Sequence, residues 1–268
     1  VKLSRPAAGG DFPWYDSLWL AKYERARQWL LAHRPQGVSE FERAFDVLRT
    51  SPDFQTRHFP SVFEHETMAT IRATVASLGP KDLELHEAAT FRRFIVHNHP
   101  FFTDLQRTLI PLVSEAAGET VEIGYNFLSL YSAQGVCPIH MDSPESKWTL
   151  DLCIDQSEPW PIQFSRIQPW PVWRDDEMAG ESVPASEMAR TMLPFDSFTL
   201  EPGEAILFSG SSQWHYRDRM PSGSSASYCQ LIFFHFIPAG SADLLKPGNW
   251  RGMFDLGDCD LGDAAASR

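Results

Sequence analysis

In the first 118 residues, apolar positions recur mainly at helical spacing. Between Asp16 and His33, the residues Leu18, Leu20, Tyr23, Ala26, Trp29 and Leu30 fall near one face of a 3.6-residue repeat, which predicts an amphipathic helix. Ser39 followed three residues later by Glu42 reads as a capping box that opens a second helical stretch, EFERAFDVLRT. FEHETMATIRATVASLG predicts a third helix, stopped by Gly79 and Pro80. FRRFIVHN reads as a strand, and FFTDLQRTLIPLVSEAAG as a helix with a kink or boundary at Pro111.

After Thr120 the period shortens. VEIGYNFLSLY, KWTLDLCID, PIQFSRI, DSFTL, EAILF and SYCQLIFFHF are short runs rich in β-branched and aromatic residues, separated by Gly, Pro and Ser. Pro202 and Gly203 mark a sharp turn between two of them. The expected class is α+β with a mainly β core, a double-stranded β-helix (a jelly roll, cupin-like) carrying an N-terminal helical region. The expected organisation is one domain over 1–268, with helices over 1–118, a catalytic core over 119–240 and a tail over 241–268. The insert 167–197, with its Trp, Met and acidic residues, reads as a lid.

Composition narrows the functional classes. A hydrophobic fraction of 43% is ample for a packed core, and 13% aromatics can line a pocket. A net charge of -12 and an isoelectric point near 5.2 disfavour nucleic acid and anionic membrane surfaces as partners. Cys137, Cys153, Cys229 and Cys259 form no C-x-x-C pair and suit a reducing, cytoplasmic setting better than a disulfide framework. The expected partner is a small-molecule substrate.

The candidate chemistry lies in two phrases, YSAQGVCPIHMD (Tyr131 to Asp142) and LEPGEAILFSGSSQWHYRD (Leu200 to Asp218). On an extended chain, residues two apart share a face, so His140 and Asp142 direct an imidazole and a carboxylate into one volume. His215, expected at the start of the strand after the Pro-Gly turn, supplies a third donor. Two His and one carboxylate on one face of an octahedron, with open positions opposite, is the ligand set of non-haem Fe(II) oxygenases.

Here the sequence resembles the Fe(II)/2-oxoglutarate-dependent dioxygenase superfamily. The resemblance is carried by H-x-D at 140–142, the later His215, Tyr131 nine positions before the first His, Gly135, and the P-G-x-x-x-x-F-x-G-x-x-x-W-H run ending at His215. It implies a jelly roll with Fe(II), 2-oxoglutarate as cosubstrate and O2, releasing succinate and CO2 while a C–H bond is oxidised. Because Asp142 fills the position that halide takes in halogenating relatives, hydroxylation, desaturation or cyclisation is implied instead.

One feature departs from the resemblance. The usual cation about ten residues past the distal His is missing, since that stretch reads SGSSAS. Arg217, two residues after His215, is the first choice to grip the far carboxylate, with Arg219 and Arg166 as fallbacks and Tyr131 as a second donor. Plainer readings stand beside these. Arg217 could pair with Asp218 or Asp175, and Tyr131 could be a core aromatic. His97 and His99 could mark a strand exit, and His235 could be a packed histidine behind the ligands. Cys137 and Cys229 read as buried small groups near the site. Trp170, Trp173 and Met178 fit a substrate lid or a core-covering flap equally. The rival functions are a protein side-chain hydroxylase, a cupin-like metal-binding protein without turnover and a hydrolytic zinc site.

Overall fold

The computed structural model describes residues 17–170, 185–221 and 226–261. The expected strands fold into two antiparallel sheets. The larger sheet has the order β1 (Arg57–Phe59), β8 (Ala205–Phe208), β5 (Trp148–Gln156), β10 (Cys229–Pro238), β3 (Val121–Tyr131) and β2 (Arg93–His97). The smaller has the order β4 (Cys137–His140), β9 (His215–Arg217), β6 (Ile162–Ser165) and β7 (Phe195–Phe198). The strand expected in FRRFIVHN is β2, which joins the large sheet as an edge, so the N-terminal region contributes to the sheet as well as to the helices.

Alternation along the central strands builds the interior. On β10, Ile232, Phe234 and Phe236 face outward onto helices α3 (His65–Ser77), α4 (Pro100–Thr108) and α5 (Ile110–Ala117). Leu231 and Phe233 face inward, where they pack with Phe164, Ile206 and Phe208. β5 does the same, with Trp148, Leu150, Leu152 and Ile154 outward and Thr149, Asp151 and Cys153 inward. Both faces of the large sheet are thus covered, which explains the near-continuous apolar runs in its sequence. A third cluster holds α1 (Ser17–His33), α2 (Val38–Ala44) and α7 (Pro247–Phe254) together through Trp19, Tyr23, Phe41, Phe45 and Trp250.

Three local expectations need correction. Ser39 caps nothing: α2 begins at Val38 after a 3-10 turn over Pro35–Gly37, so proline presets the entry and Ser39 is already inside the helix. The long helix around Pro111 is two helices, α4 and α5, because proline at the start of α5 has no N–H to continue the ladder. His215 does not begin the strand after the Pro-Gly turn. That strand is β8, and His215 opens β9 in the other sheet after a further turn.

Within the expected lid insert lie α6 (Ala185–Met192) and the start of β7, and Trp170 packs edge-on against Trp19 in the helical cluster, as a core-covering flap would. Trp173, Met178 and Asp175 lie outside the described residues. No helix among the described residues is long and apolar enough to cross a membrane.

Phe234 is fully buried on the outer face of the central strand, away from the interior cavity. Phe234→Ala is expected to lower stability by about 3–5 kcal/mol, read as a fall in the urea midpoint with an unchanged slope. A loss under about 1 kcal/mol would contradict this packing.

Candidate metal centre and cavity

His140 ends β4, and Asp142 follows two residues later, where its N–H donates to the Gly210 carbonyl (2.8 Å). Across the small sheet, His140 pairs directly with His215 of β9. The sequence-predicted trio therefore converges. One donor atom from each of His140, Asp142 and His215 lies within 4.8 Å of the others. His140 Nε2 is 3.4 Å from Asp142 Oδ1, and His215 Nε2 is 3.8 Å from Asp142 Oδ2.

Both imidazoles are oriented from behind. His140 Nδ1 hydrogen-bonds the Pro138 carbonyl (2.6 Å) and His215 Nδ1 the Gln213 carbonyl (2.9 Å). A carbonyl only accepts, so each Nδ1 carries a proton and each Nε2 is left facing Asp142. Gln213, which sequence reasoning missed, fixes this turn: its side chain accepts from the Ser209 N–H and donates to the Ser165 carbonyl and Thr56. Gly210, also missed, lies against the trio. A Cβ there would come within 2.5 Å of both Asp142 Oδ2 and the Ser146 carbonyl, so only glycine lets the carboxylate sit where it does.

Burial alone pushes the Asp142 carboxyl up, but the charges of His215 and His140 more than reverse this and hold it well below the usual carboxylate range. His215 is pushed down to about 4, first by burial and then by the neighbouring His140, against the pull of Asp142. An ionised carboxylate beside a neutral imidazole is a donor set ready for a cation.

The trio opens on a cavity of about 250 Å³ inside the jelly roll. Its lining sorts into two levels along the strands. At the metal level, Thr149 of β5 stands beside Phe208 of β8 and His235 of β10, Tyr125 of β3 stacks on His235 and His215 opens β9, while His97 of β2, Phe127 and Phe233 lie one rung along. Two to six residues along the same strands, Arg93, Tyr131, Asp151 and Arg217 form a deeper, charged level.

Arg217 is 2% exposed and pairs with neither Asp218 nor solvent: it donates to Asp151 Oδ2 (2.8 Å) and to the Trp160 carbonyl, and lies over the Trp160 ring. Asp218 pairs with Arg190 instead. Complete burial raises the Asp151 carboxyl, against the pull of Arg217, and its Oδ1 has no partner among the described residues. The fallback cations are elsewhere: Arg166 and Arg219 are exposed and line no part of the cavity. Tyr131 faces the cavity, where its hydroxyl accepts from Arg93 Nη1 (2.7 Å). Arg93, which sequence reasoning passed over, also donates to Glu87. Cys137 lines the cavity and Cys229 is buried below it, each as a free thiol. His97 bonds Glu84 at the rim, and His99 packs on Phe102 outside the cavity.

His215 and His235 are each pushed down to about 4 by burial, whereas both would take up protons near 6.5 once unfolded. Between those values the unfolded chain binds more protons, so the metal-free protein is expected to lose stability as pH falls from 6.5 to 4, by up to roughly 3 kcal/mol per histidine. The depressed Asp142 adds to the loss at lower pH still. Urea midpoints of chelator-treated protein at successive pH values check this, and a midpoint flat across that window would refute it. Gly210→Ala is expected to lower stability and, in protein that still folds, to weaken binding of a divalent metal by at least about tenfold, measured by calorimetry, because Asp142 and the Ser146 backbone must both move.

No family model matches the chain, and no curated protein matches it. Solved structures do. The non-heme α-ketoglutarate-dependent carbocyclase SnoK of nogalamycin biosynthesis matches with a TM-score of 0.53 at 10% identity, over 74% of this chain and 88% of that one. HygX from Streptomyces hygroscopicus, with nickel and 2-oxoglutarate bound, matches with a TM-score of 0.49 at 12% identity, over 75% and 87%. AviO1 from Streptomyces viridochromogenes Tue57 gives 0.49 at 16% identity, over 74% and 95%. The chain therefore shares the jelly-roll fold of a non-heme α-ketoglutarate-dependent enzyme, SnoK.

Proposed function

We propose that the protein is an Fe(II)- and 2-oxoglutarate-dependent oxygenase that oxidises an unactivated C–H bond of a small molecule by hydroxylation, desaturation or cyclisation. The observation that carries this reading is the convergence of His140, Asp142 and His215 on a cavity that two guanidinium groups, of Arg93 and Arg217, also line. The jelly roll shared with SnoK supports it.

The residues fit the metal on their own chemistry. Two imidazoles, each with Nδ1 committed to a backbone carbonyl, and one carboxylate would offer a metal two Nε2 atoms and a carboxylate oxygen beside the cavity. When bound, iron(II) with 2-oxoglutarate and O2 supplies the oxidising power, at the cost of converting the keto acid to succinate and CO2. The chain's contribution is to bind, to orient and to keep water out. The backbone carbonyls of Pro138 and Gln213 keep the proton on Nδ1 of each ligand, and Gly210 makes room for the carboxylate. At the deep level, Tyr131 and Arg217 are placed to take the far carboxylate of 2-oxoglutarate, with Arg93 beside them as a second cation. Asp151 holds the Arg217 guanidinium in the orientation the cosubstrate meets. The apolar side chains of Ile162, Phe208 and Phe233 line the same cavity and limit the water it holds.

The test is an anaerobic titration of metal-free protein with Fe(II) and then 2-oxoglutarate. A weak visible charge-transfer band should form, followed by O2-dependent succinate release. Iron uptake without the band would favour the cupin-like reading instead. Arg217→Met combined with Asp151→Asn, which leaves no buried charge unpaired, should bind Fe(II) within about threefold of the parent yet require roughly ten to a hundred times more 2-oxoglutarate. An unchanged requirement would move the carboxylate contact to Arg93.

A further inference from the structure

At the metal level, one polar atom is unused. His235 is 2% exposed and lines the cavity, its Nδ1 is 2.9 Å from Thr149 Oγ1, and its Nε2 has no hydrogen-bond partner among the described residues. The ring cannot turn away to find one. It is stacked on Tyr125 at 4.2 Å between centroids and lies nearly parallel to Phe127 and Phe233, whose rings stack on each other at 4.9 Å. Its backbone is fixed too: the His235 carbonyl accepts from Gln106 Nε2 at 2.7 Å, and Gly124 lies against it so closely that a Cβ would come within 3.1 Å. A histidine held this rigidly, with one nitrogen satisfied and the other left bare in a cavity, is preorganised for a ligand atom.

The ligand is not the cosubstrate, because the cations lie at the other level. Arg93 and Arg217 stand beside Tyr131, and each strand that reaches the deep level carries its metal-level residue further along. Charge then limits what the metal level accepts. Both guanidiniums already face carboxylates, Glu87 and Asp151, and no Lys or Arg among the described residues lines the cavity at the height of His235. An anionic group there would find no unengaged cation beside it, and a cationic one no unengaged carboxylate, since Glu87, Asp142 and Asp151 are taken by Arg93, the metal and Arg217.

Resting on the oxygenase reading, we propose that His235 Nε2 is the substrate-orienting contact, and that the substrate is a neutral molecule presenting a hydroxyl or amide group to it. A hydroxyl or amide can donate or accept, so it satisfies the imidazole in either tautomer. The fixed hydrogen bond sets which carbon of the substrate lies over the metal.

The test uses full-length protein loaded with zinc(II) and 2-oxoglutarate, with its histidines isotopically labelled and the His235 resonances assigned by comparison with His235→Phe. Propylene glycol, cyclohexanol and lactamide are titrated as neutral probes, against lactate and isopropanolamine as charged counterparts. A saturable shift of Nε2 with at least one neutral probe is expected, with little response to its charged counterpart. His235→Phe should weaken that probe at least about tenfold while keeping metal and 2-oxoglutarate affinity within about threefold, and His235→Asn should recover part of the loss. A shift produced by 2-oxoglutarate alone, a response confined to lactate, or silence across the panel would overturn the assignment while leaving the oxygenase reading standing. Failure of the parent protein to take up metal would overturn both.

Discussion

The two-residue alternation of an antiparallel strand is the constraint on which this molecule depends. Because β3, β5, β8 and β10 are covered by helices on one side and closed by the small sheet on the other, every second residue is committed to the interior. A polar residue in that register cannot escape to solvent. It must find a partner across the barrel or wait for a ligand, and the site is the set of polar residues for which this holds. Thr149 and Asp151 on β5, His235 on β10 and His215 and Arg217 on β9 are all of this kind.

Charge within such an interior is tolerated only in compensated groups. Arg217 is matched by Asp151, Arg93 by Glu87, and the Asp142 carboxylate by two imidazoles. In the first two the opposite charge is a full ionic partner within the chain. The third differs in kind, since its carboxylate is met by imidazoles, which carry no fixed charge, beside a cavity. That imbalance, together with the glycine whose missing side chain makes room for the carboxylate, distinguishes a cation site from a structural ion pair.

Much of the fold was legible because helical and strand periods in this sequence differ so clearly. The change at Thr120 marks where strands take over from helices, the two edge strands β1 and β2 of the large sheet lying before it. The H-x-D pair was legible because an extended chain puts residues two apart on one side, and His215 because a third donor had to come from a later segment. What the sequence concealed depends on contacts between distant segments. Asp151 looked like one polar residue in KWTLDLCID, and only the cross-barrel position of β9 makes it the partner of Arg217. Arg93 sits in a strand whose own phrase, FRRFIVHN, carries no sign that it borders the same cavity, although the inward alternation of Arg93, Ile95 and His97 was there to be read. Gln213 and Gly210 serve through a turn, where no period exists. The reading of Ser39 as a cap failed because a proline-led turn upstream had already started the helix.

The central claim is that two imidazoles and one carboxylate of this chain bind a single ferrous ion from one side. X-ray absorption of the anaerobically iron-loaded protein addresses it most directly. The account predicts one iron per chain, with outer-shell scattering from two imidazole rings that drops to one ring in His215→Ala. Iron bound without imidazole scattering, or with a spectrum untouched by that substitution, would contradict it.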